Sequence, residues 1–180
     1  MRVALIAVVG AESTGKTTLC RELAAELPAV WVPEALREFG ERRGRTPRAD
    51  EQAALMAEQI AREREALAQA AESGLRWVIV DSTPLATALY SEQLFGDASL
   101  MPAAIAHHQG YAHTLLAGLE VPWQADGIQR DGPAARADFH ARLAAVLARE
   151  AIAHLPLPGD PDARRALALA RLRAAQAALH

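Results

Sequence analysis

Apolar and polar residues follow one another along the chain in blocks that predict strands and helices in turn. Continuous apolar runs predict buried strands, since strands covered on both faces of a parallel sheet carry few polar residues. Stretches with apolar residues every three to four positions predict amphipathic helices. The predicted strands cover 3–9, 29–32, 75–80, 111–119 and, more weakly, 152–155. The predicted helices cover 16–27, 33–44 (with an exposed loop over 40–47), 50–72 and 133–150, and two more begin at Thr83-Pro84 and Asp160-Pro161.

This alternation predicts an α/β fold, with a parallel sheet of about five strands and helices on both faces. A length of 180 residues fits a single domain spanning 1–180. The net charge of −3 comes without a basic block, so nucleic acid is not an expected partner. No apolar run approaches the about 18 residues of a membrane span, so no membrane partner is expected. The single cysteine, Cys20, forms no disulfide framework and favours a cytoplasmic location.

The segment that follows the first strand, Gly10 to Thr17, has the pattern G-x-x-x-x-G-K-T. Glycines allow successive backbone N–H groups to point at phosphate oxygens, and the N-terminus of the following helix adds partial positive charge. Lys16, the only lysine among 19 basic residues, would reach the β- and γ-phosphates, while the Thr17 hydroxyl would bind Mg²⁺. The loop is therefore predicted to hold the phosphates of a nucleoside triphosphate. The residues predicted to bind it are Gly10, Glu12, Ser13, Thr14, Gly15, Lys16, Thr17 and Thr18.

Two acidic residues at predicted strand ends suggest phosphoryl transfer. Asp81 ends the strand WVIVD and could hold Mg²⁺ through water, or cap the following helix. Glu34 follows the second strand and could take a proton from an acceptor hydroxyl, with Arg37 one turn further on as a substrate anchor. Glu34 could instead be an acid that favours the start of a helix.

A polar, glycine-containing loop precedes the predicted helix 133–150. It predicts a small lid, roughly 124–136, whose Arg130 and Arg136 would close over the transferring phosphoryl group and stabilise its charge. The alternative is a solvated loop. No N-K-x-D motif is present, so a GTPase is not indicated.

Several segments together resemble the ribosylnicotinamide kinase domain of NadR-type proteins, within the P-loop kinase superfamily. They are GAESTGKTTL, VPEALREFGERRG, VIVDSTP and VPWQADGIQRDGPAARADFHARL, in a likeness that spans roughly 3–165. The resemblance implies a P-loop NTPase fold and ATP- and Mg²⁺-dependent phosphorylation of the 5′-hydroxyl of nicotinamide riboside. The residues it assigns are Gly15, Lys16 and Thr17 to ATP and Mg²⁺, Asp81 to metal or ribose, Trp123 and Asp126 to the acceptor, and Arg130 and Arg136 to the lid. The H-x-G-H signature of the nucleotidyltransferase domain in bifunctional members is absent from this sequence.

The residues themselves also suggest an acceptor site. Trp123 follows a strand that ends at the carboxyl edge of the sheet, and its indole could stack on a flat cationic ring, or simply pack at the base of a loop. Gln59 and Gln52 lie seven residues apart on the helix face of Met56, where they could line a pocket or form a half-exposed flank. The leading hypothesis is a nicotinamide riboside kinase. The alternatives are a kinase of another small nucleoside or metabolite, and a P-loop ATPase or nucleotide-binding regulator without an acceptor.

Overall fold

The computed structural model describes residues 3–124 and 132–178. Its strands are β1 (Ala4–Val9), β2 (Ala29–Val32), β3 (Trp77–Asp81), β4 (His113–Ala117) and β5 (Leu155–Leu157). Its helices are α1 (Lys16–Glu26), α2 (Ala35–Arg43), α3 (Gln52–Glu72), α4 (Pro84–Phe95), α5 (Met101–His108), α6 (Gly132–Arg149) and α7 (Pro161–Ala177), with a short 3₁₀ helix over Ala49–Glu51. Within these ranges, no helix is long and apolar enough to cross a membrane.

The five strands form one parallel sheet in the order β2-β3-β1-β4-β5, which confirms the predicted sheet. β1 is the central strand, and its register aligns Val8 with Asp81 of β3 and Val9 with Leu116 of β4. The carboxyl ends of the three middle strands therefore meet at one edge. The loop after β1 and the carboxylate of Asp81 are brought together at that edge.

Helices cover both faces of the sheet, also as predicted. On one face, apolar side chains of α3, α4, α5 and α6 form a buried layer that includes Met56, Leu85, Met101 and Phe139. On the other face, Leu23 of α1 and Leu172 of α7 pack over Ile6, Val8 and Leu115. The strands are buried on both sides, which explains their continuous apolar runs.

The structure corrects several predicted boundaries. β5 lies at 155–157 and not at 152–155, because Leu157 is the fully buried residue that pairs beside Ala117, and Pro156 is tolerated in an edge strand. α2 continues through Arg43 into the predicted loop and ends at Gly44, whose φ of 67° lies in the left-handed region. α5 had no predicted counterpart. The third and fourth strands are Trp77–Asp81 and His113–Ala117, displaced from 75–80 and shorter than 111–119.

Candidate active site

The loop between β1 and α1 has the backbone geometry of an anion cradle. Gly10, Ser13 and Gly15 have positive φ values of 153°, 52° and 81°, so the chain curls tightly before α1 begins at Lys16. At Gly10 a Cβ atom would lie 3.0 Å from the carbonyl oxygen of Ala117, so only glycine fits there. A tight curl that leads into a helix N-terminus is the backbone arrangement that presents N–H groups to phosphate.

The side chain of Lys16 is held inside this loop. Its Nζ donates to the carbonyl oxygen of Ala11 at 2.7 Å, and the Thr14 hydroxyl donates to the same oxygen at 2.8 Å. Lys16 also lines a cavity next to the loop. The ammonium group is therefore positioned beside the cradle before phosphate binds, which lowers the entropic cost of ordering the lysine side chain on binding.

Thr17 and Asp81 form a pair at the edge of the sheet. The Thr17 hydroxyl donates to Asp81 Oδ2 at 2.6 Å, and Asp81 is only 1% exposed. Oδ1 of Asp81 has no hydrogen-bond partner among the described residues. Mg²⁺ is usually held by one or two carboxylates together with phosphate oxygens and water, so this hydroxyl and this orphaned carboxylate oxygen fit that ion.

An open cavity lies beside the loop, between the start of α2 and the start of α4. Glu34, which precedes α2, lines the cavity together with Lys16 and Arg37. Burial raises the pKa of Glu34 and the nearby charge of Asp81 raises it further, whereas Lys16 acts in the opposite direction. The walls are Gly10, Glu12, Ser13, Lys16, Glu34, Leu36, Arg37, Gly40, Glu41, Thr46, Pro47, Ser82, Ala86 and Tyr90.

Gln59 and Gln52 are buried, at 4% and 2% exposure, so the interpretation as a half-exposed flank is wrong. Gln59 Oε1 accepts a hydrogen bond from the backbone N–H of Ala35 at 2.9 Å. The N–H groups in the first turn of a helix have no acceptor within the helix, so Gln59 provides the hydrogen-bond acceptor that the N–H of Ala35 would otherwise lack. Gln59 is not among the residues that line the cavity; it supports the turn that begins after Glu34.

The segment after β4 packs on the phosphate loop. The indole N–H of Trp123 donates to Glu12 Oε1 at 3.1 Å, and the backbone N–H of Gln124 donates to the Ser13 hydroxyl at 2.9 Å. Trp123 is half-buried and does not line the cavity. Asp126, and Arg130 of the predicted lid, lie outside the described residues.

Arg136 belongs to the first turns of α6, within the C-terminal part of the predicted lid segment. It is 6% exposed and donates to the carbonyl oxygens of Val121 at 2.8 Å and Leu119 at 3.4 Å. Burial lowers the pKa of its guanidinium, as does the charge of Arg164. Arg136 thus ties the segment after β4 to α6.

Tyr90 is a cavity residue that the sequence analysis missed. It lies on α4 one turn after Ala86, and its ring stacks on Phe139 of α6 with centroids 4.3 Å apart and planes at 22°. The sequence could have indicated Tyr90. The helix α4 starts soon after Asp81 and Ser82, and Tyr90 lies four residues after Ala86 and so on the same helix face.

Arg164 of α7 is a second missed residue. Its guanidinium is 2% exposed and donates to the Thr14 carbonyl oxygen at 2.7 Å and to Glu120 Oε2 at 2.8 Å. Arg164 thereby connects the phosphate loop, through Thr14, to the segment after β4, through Glu120. No local sequence signal distinguishes it from its exposed neighbour Arg165.

Replacing Arg164 with methionine is expected to weaken ATP binding by about 10-fold or more. In a trans peptide the C=O and N–H groups point in opposite directions, so holding the Thr14 carbonyl outward aims the Gly15 N–H at the phosphates. A hydrogen bond from a charged group contributes about 1.5–3 kcal/mol, which sets the size of the effect. Calorimetric titrations with ATP and with adenosine measure it. Arg165→Met is the control, and equal losses for ATP and adenosine would contradict this role.

A parallel sheet of this order, with a phosphate loop after its central strand and a Thr17–Asp81 pair beside it, defines the class of P-loop nucleotide-binding proteins. Within that class, the chain belongs to the AAA domain family, whose sequence model matches residues 5–164. Among curated proteins, none matches the chain at a significant level.

Solved structures with the same fold include P-loop kinases. A NadR protein in complex with NR is 24% identical, with a TM-score of 0.67, and the match covers 89% of this chain and 47% of that one. A NadR protein with NAD and AMP-PNP is 23% identical, with a TM-score of 0.70 and coverages of 88% and 45%. Deoxyadenosine kinase from M. mycoides is 12% identical, with a TM-score of 0.67 and coverages of 94% and 99%. The chain spans about half the length of the NadR chains, and the resemblance noted in the sequence is confirmed as a likeness of fold.

Proposed function

We propose that this protein is an ATP-dependent kinase that phosphorylates a nucleoside, and that the nucleoside is nicotinamide riboside, which becomes nicotinamide mononucleotide. The observation that carries the proposal is an open cavity that adjoins the phosphate loop, with Lys16, Glu34 and the aromatic ring of Tyr90 on its wall. A P-loop ATPase without an acceptor has no use for such a cavity. The kinase fold of the similar structures supports the same class of reaction.

Each residue beside the loop has a part in this reaction. The backbone N–H groups of the loop and the ammonium of Lys16 bind the phosphates and stabilise the charge that develops during transfer. Thr17 and Asp81 would hold Mg²⁺, which would neutralise part of the phosphate charge. Asp81 is assigned to Thr17 and Mg²⁺, and Glu34 is the cavity carboxylate whose charge interacts with both Lys16 and Asp81, so Glu34 is the proposed base that takes the proton of the acceptor hydroxyl.

Charge and shape in the cavity favour a flat, cationic acceptor. Three acidic residues, Glu12, Glu34 and Glu41, line it against two basic ones, Lys16 and Arg37. A ring of the acceptor can lie against Tyr90, which is held by its stack on Phe139. Nicotinamide riboside carries a positively charged pyridinium ring, and one of the similar NadR structures is a complex with NR.

The segment after β4 completes the proposed site. Trp123, fastened to Glu12, and Asp126 would close the acceptor side, and Arg130 would lie over the phosphates as part of a lid over roughly 124–136. Arg37 would anchor the acceptor at the opposite wall. Residues 1–180 are proposed to act as one kinase domain.

The proposal is tested by measuring ADP release from ATP·Mg²⁺ in the presence of a panel of nucleosides. We expect release to depend on the nucleoside and to be fastest with nicotinamide riboside. A higher rate with another nucleoside would support kinase activity but contradict nicotinamide riboside as the substrate. ATP hydrolysis at one rate with and without nucleosides would instead support a P-loop ATPase or a nucleotide-binding regulator.

Replacing Tyr90 with leucine is expected to weaken the binding of nicotinamide riboside more than that of a neutral nucleoside. Leucine preserves an apolar wall but lacks the ring quadrupole, whose attraction for a cation is about 1–2 kcal/mol, or about five- to thirtyfold in affinity. Paired titrations with the cationic and the neutral nucleoside measure the difference. Trp123→Leu is the comparison variant. If it selectively weakens binding of the cationic nucleoside and Tyr90→Leu does not, the pyridinium ring stacks on Trp123 and not on Tyr90. Equal losses of affinity for both nucleosides would exclude stacking on a charged ring.

A further inference from the structure

The turn between β3 and α4 combines a strained backbone with a helix cap that is not used. Ser82, which directly follows Asp81, is 4% exposed and has a φ of 62°, in the left-handed region that non-glycine residues rarely adopt. Such strain persists only where surrounding contacts enforce it. Thr83, the N-cap residue of α4, makes no side-chain hydrogen bond to the helix, although threonine in this position usually does. The turn is therefore held by contacts from other elements.

His108, the last residue of α5, provides such a contact. Its ring is buried, with Nδ1 at 3.3 Å from the Thr83 hydroxyl oxygen and Nε2 at 3.1 Å from the Thr114 hydroxyl oxygen. Thr114 lies in β4, and β3 and β4 flank the central strand β1 on opposite sides. The imidazole thus connects the turn after β3 with the strand on the far side of β1.

The imidazole of His108 is suited to hold two hydroxyl groups at once. Burial lowers the pKa of His108 to about 4, and the charge of the neighbouring His107 acts in the same direction. The ring is therefore neutral near pH 7, with one nitrogen as a donor and the other as an acceptor. Because a threonine hydroxyl can both donate and accept, both ring nitrogens are paired, and a buried polar bridge that is fully paired holds its members rigidly.

The turn that His108 reaches also carries the candidate metal ligand. The backbone N–H of Ser82 donates to the Val8 carbonyl oxygen at 3.0 Å, so the turn is tied to β1 as well as to α5. Next to these ties, the Asp81 carboxylate accepts from the Thr17 hydroxyl at 2.6 Å. The position of this carboxylate therefore depends on how firmly the turn is held.

We propose that His108 is a positioning residue for Asp81, the carboxylate assigned to Mg²⁺, and that it acts by fixing Thr83 and the turn before it. The inference rests on the nucleotide-binding part of the proposed function and does not depend on the acceptor. Without the imidazole, the Thr83 hydroxyl is released to cap α4 in the ordinary way. The strained turn can then relax, which moves the Asp81 carboxylate away from the position that suits the metal ion.

Calorimetric titrations with ATP, in the presence of Mg²⁺ and in EDTA, test the proposal on the full chain. In His108→Leu we expect the affinity for Mg²⁺·ATP to fall by about tenfold and the affinity for ATP in EDTA to change by less than about twofold, since loss of a group that orients a metal ligand weakens metal binding selectively. Thr83→Val, which keeps the shape of the side chain and removes the hydroxyl, should give the same selective loss. The double variant should lose no more than His108→Leu alone, because both changes remove one hydrogen bond. His108→Gln, whose amide offers a donor and an acceptor, should recover most of the affinity.

His107→Leu is the matched control, one residue away on the same helix. It removes the hydrogen bond between His107 Nε2 and the buried carboxylate of Glu63, at 2.6 Å, and leaves the contact with the turn in place. We expect it to lower the unfolding midpoint, because a buried carboxylate loses a partner, and to bind Mg²⁺·ATP as the wild type does. The control thus separates a loss of stability from a loss of position.

Three results would make His108 an ordinary core residue: equal losses with and without Mg²⁺ in His108→Leu, the same loss in His107→Leu, or additive losses in the double variant. If His108→Leu is not folded, Thr83→Val provides the same comparison by itself. A wild-type protein that binds Mg²⁺·ATP and phosphorylates no nucleoside would overturn the proposed kinase, and the same titrations would still decide the role of His108. No binding of Mg²⁺·ATP by the wild type would overturn both proposals.

Discussion

Lys16→Ala is expected to lower the rate of phosphoryl transfer by about 10³-fold or more. Lys16 is the charged donor already positioned beside the phosphate cradle, and removing one such group from a site that stabilises transition-state charge costs about 10²–10³ even for an uncharged donor. The loss appears mainly in kcat, because the lysine acts on charge that grows during transfer. Single-turnover measurements of phosphorylated product give the rate directly.

Lys16→Arg is the matched variant, since it retains the charge and changes the shape. A planar guanidinium is wider than an ammonium, and the buried contact with the Ala11 carbonyl leaves it little room, so we expect a loss nearly as large. Lys16→Ala also removes a buried hydrogen bond from a charged group, worth about 1.5–3 kcal/mol, so we expect a lower unfolding midpoint with the fold retained. Wild-type turnover by folded Lys16→Ala would contradict the role of the loop.

The sequence predicted those parts of the site that depend on neighbouring residues. The phosphate loop is recognisable because its glycines, Lys16 and Thr17 lie in one short segment between a buried strand and a helix. Asp81 was identified because it ends an apolar strand, and the parallel register then brings it to the loop. For the sheet, continuous apolar runs were enough, except at the short edge strand with its proline.

The parts that were missed depend on contacts between distant segments. Arg164 reaches the carbonyl oxygen of Thr14, 150 residues away, and no periodicity marks it. The cavity wall formed by Tyr90 depends on its stack on Phe139 where α4 meets α6, so it is visible only after folding. Trp123 was expected near the carboxyl edge of the sheet, and its hydrogen bond to Glu12 could not be inferred from a loop whose path the sequence does not specify.

Glu34→Gln is expected to lower turnover by about 10²-fold. General-base catalysis usually contributes about 10²–10⁴, and the loose transition state of phosphoryl transfer, in which little proton removal is needed, favours the lower end. The amide preserves the size of the side chain, so nucleotide affinity should change little. Glu41→Gln is the control: it removes a carboxylate from the same cavity wall, and its turnover should remain near wild type. Equal losses in the two variants would mean that Glu34 acts only through the cavity's charge.

The pH dependence of kcat/KM provides the independent part of this test. Glu34 acts as a base in its ionised form, and burial together with Asp81 raises its pKa above the ordinary 4.5, although Lys16 opposes the shift. Activity should therefore be full at pH values above the raised pKa and fall on acidification at a higher pH than an ordinary glutamate would allow. Glu41→Gln should retain this acidic limb and Glu34→Gln should lose it. An acidic limb that survives in Glu34→Gln would assign the titrating group elsewhere and remove Glu34 from the chemistry.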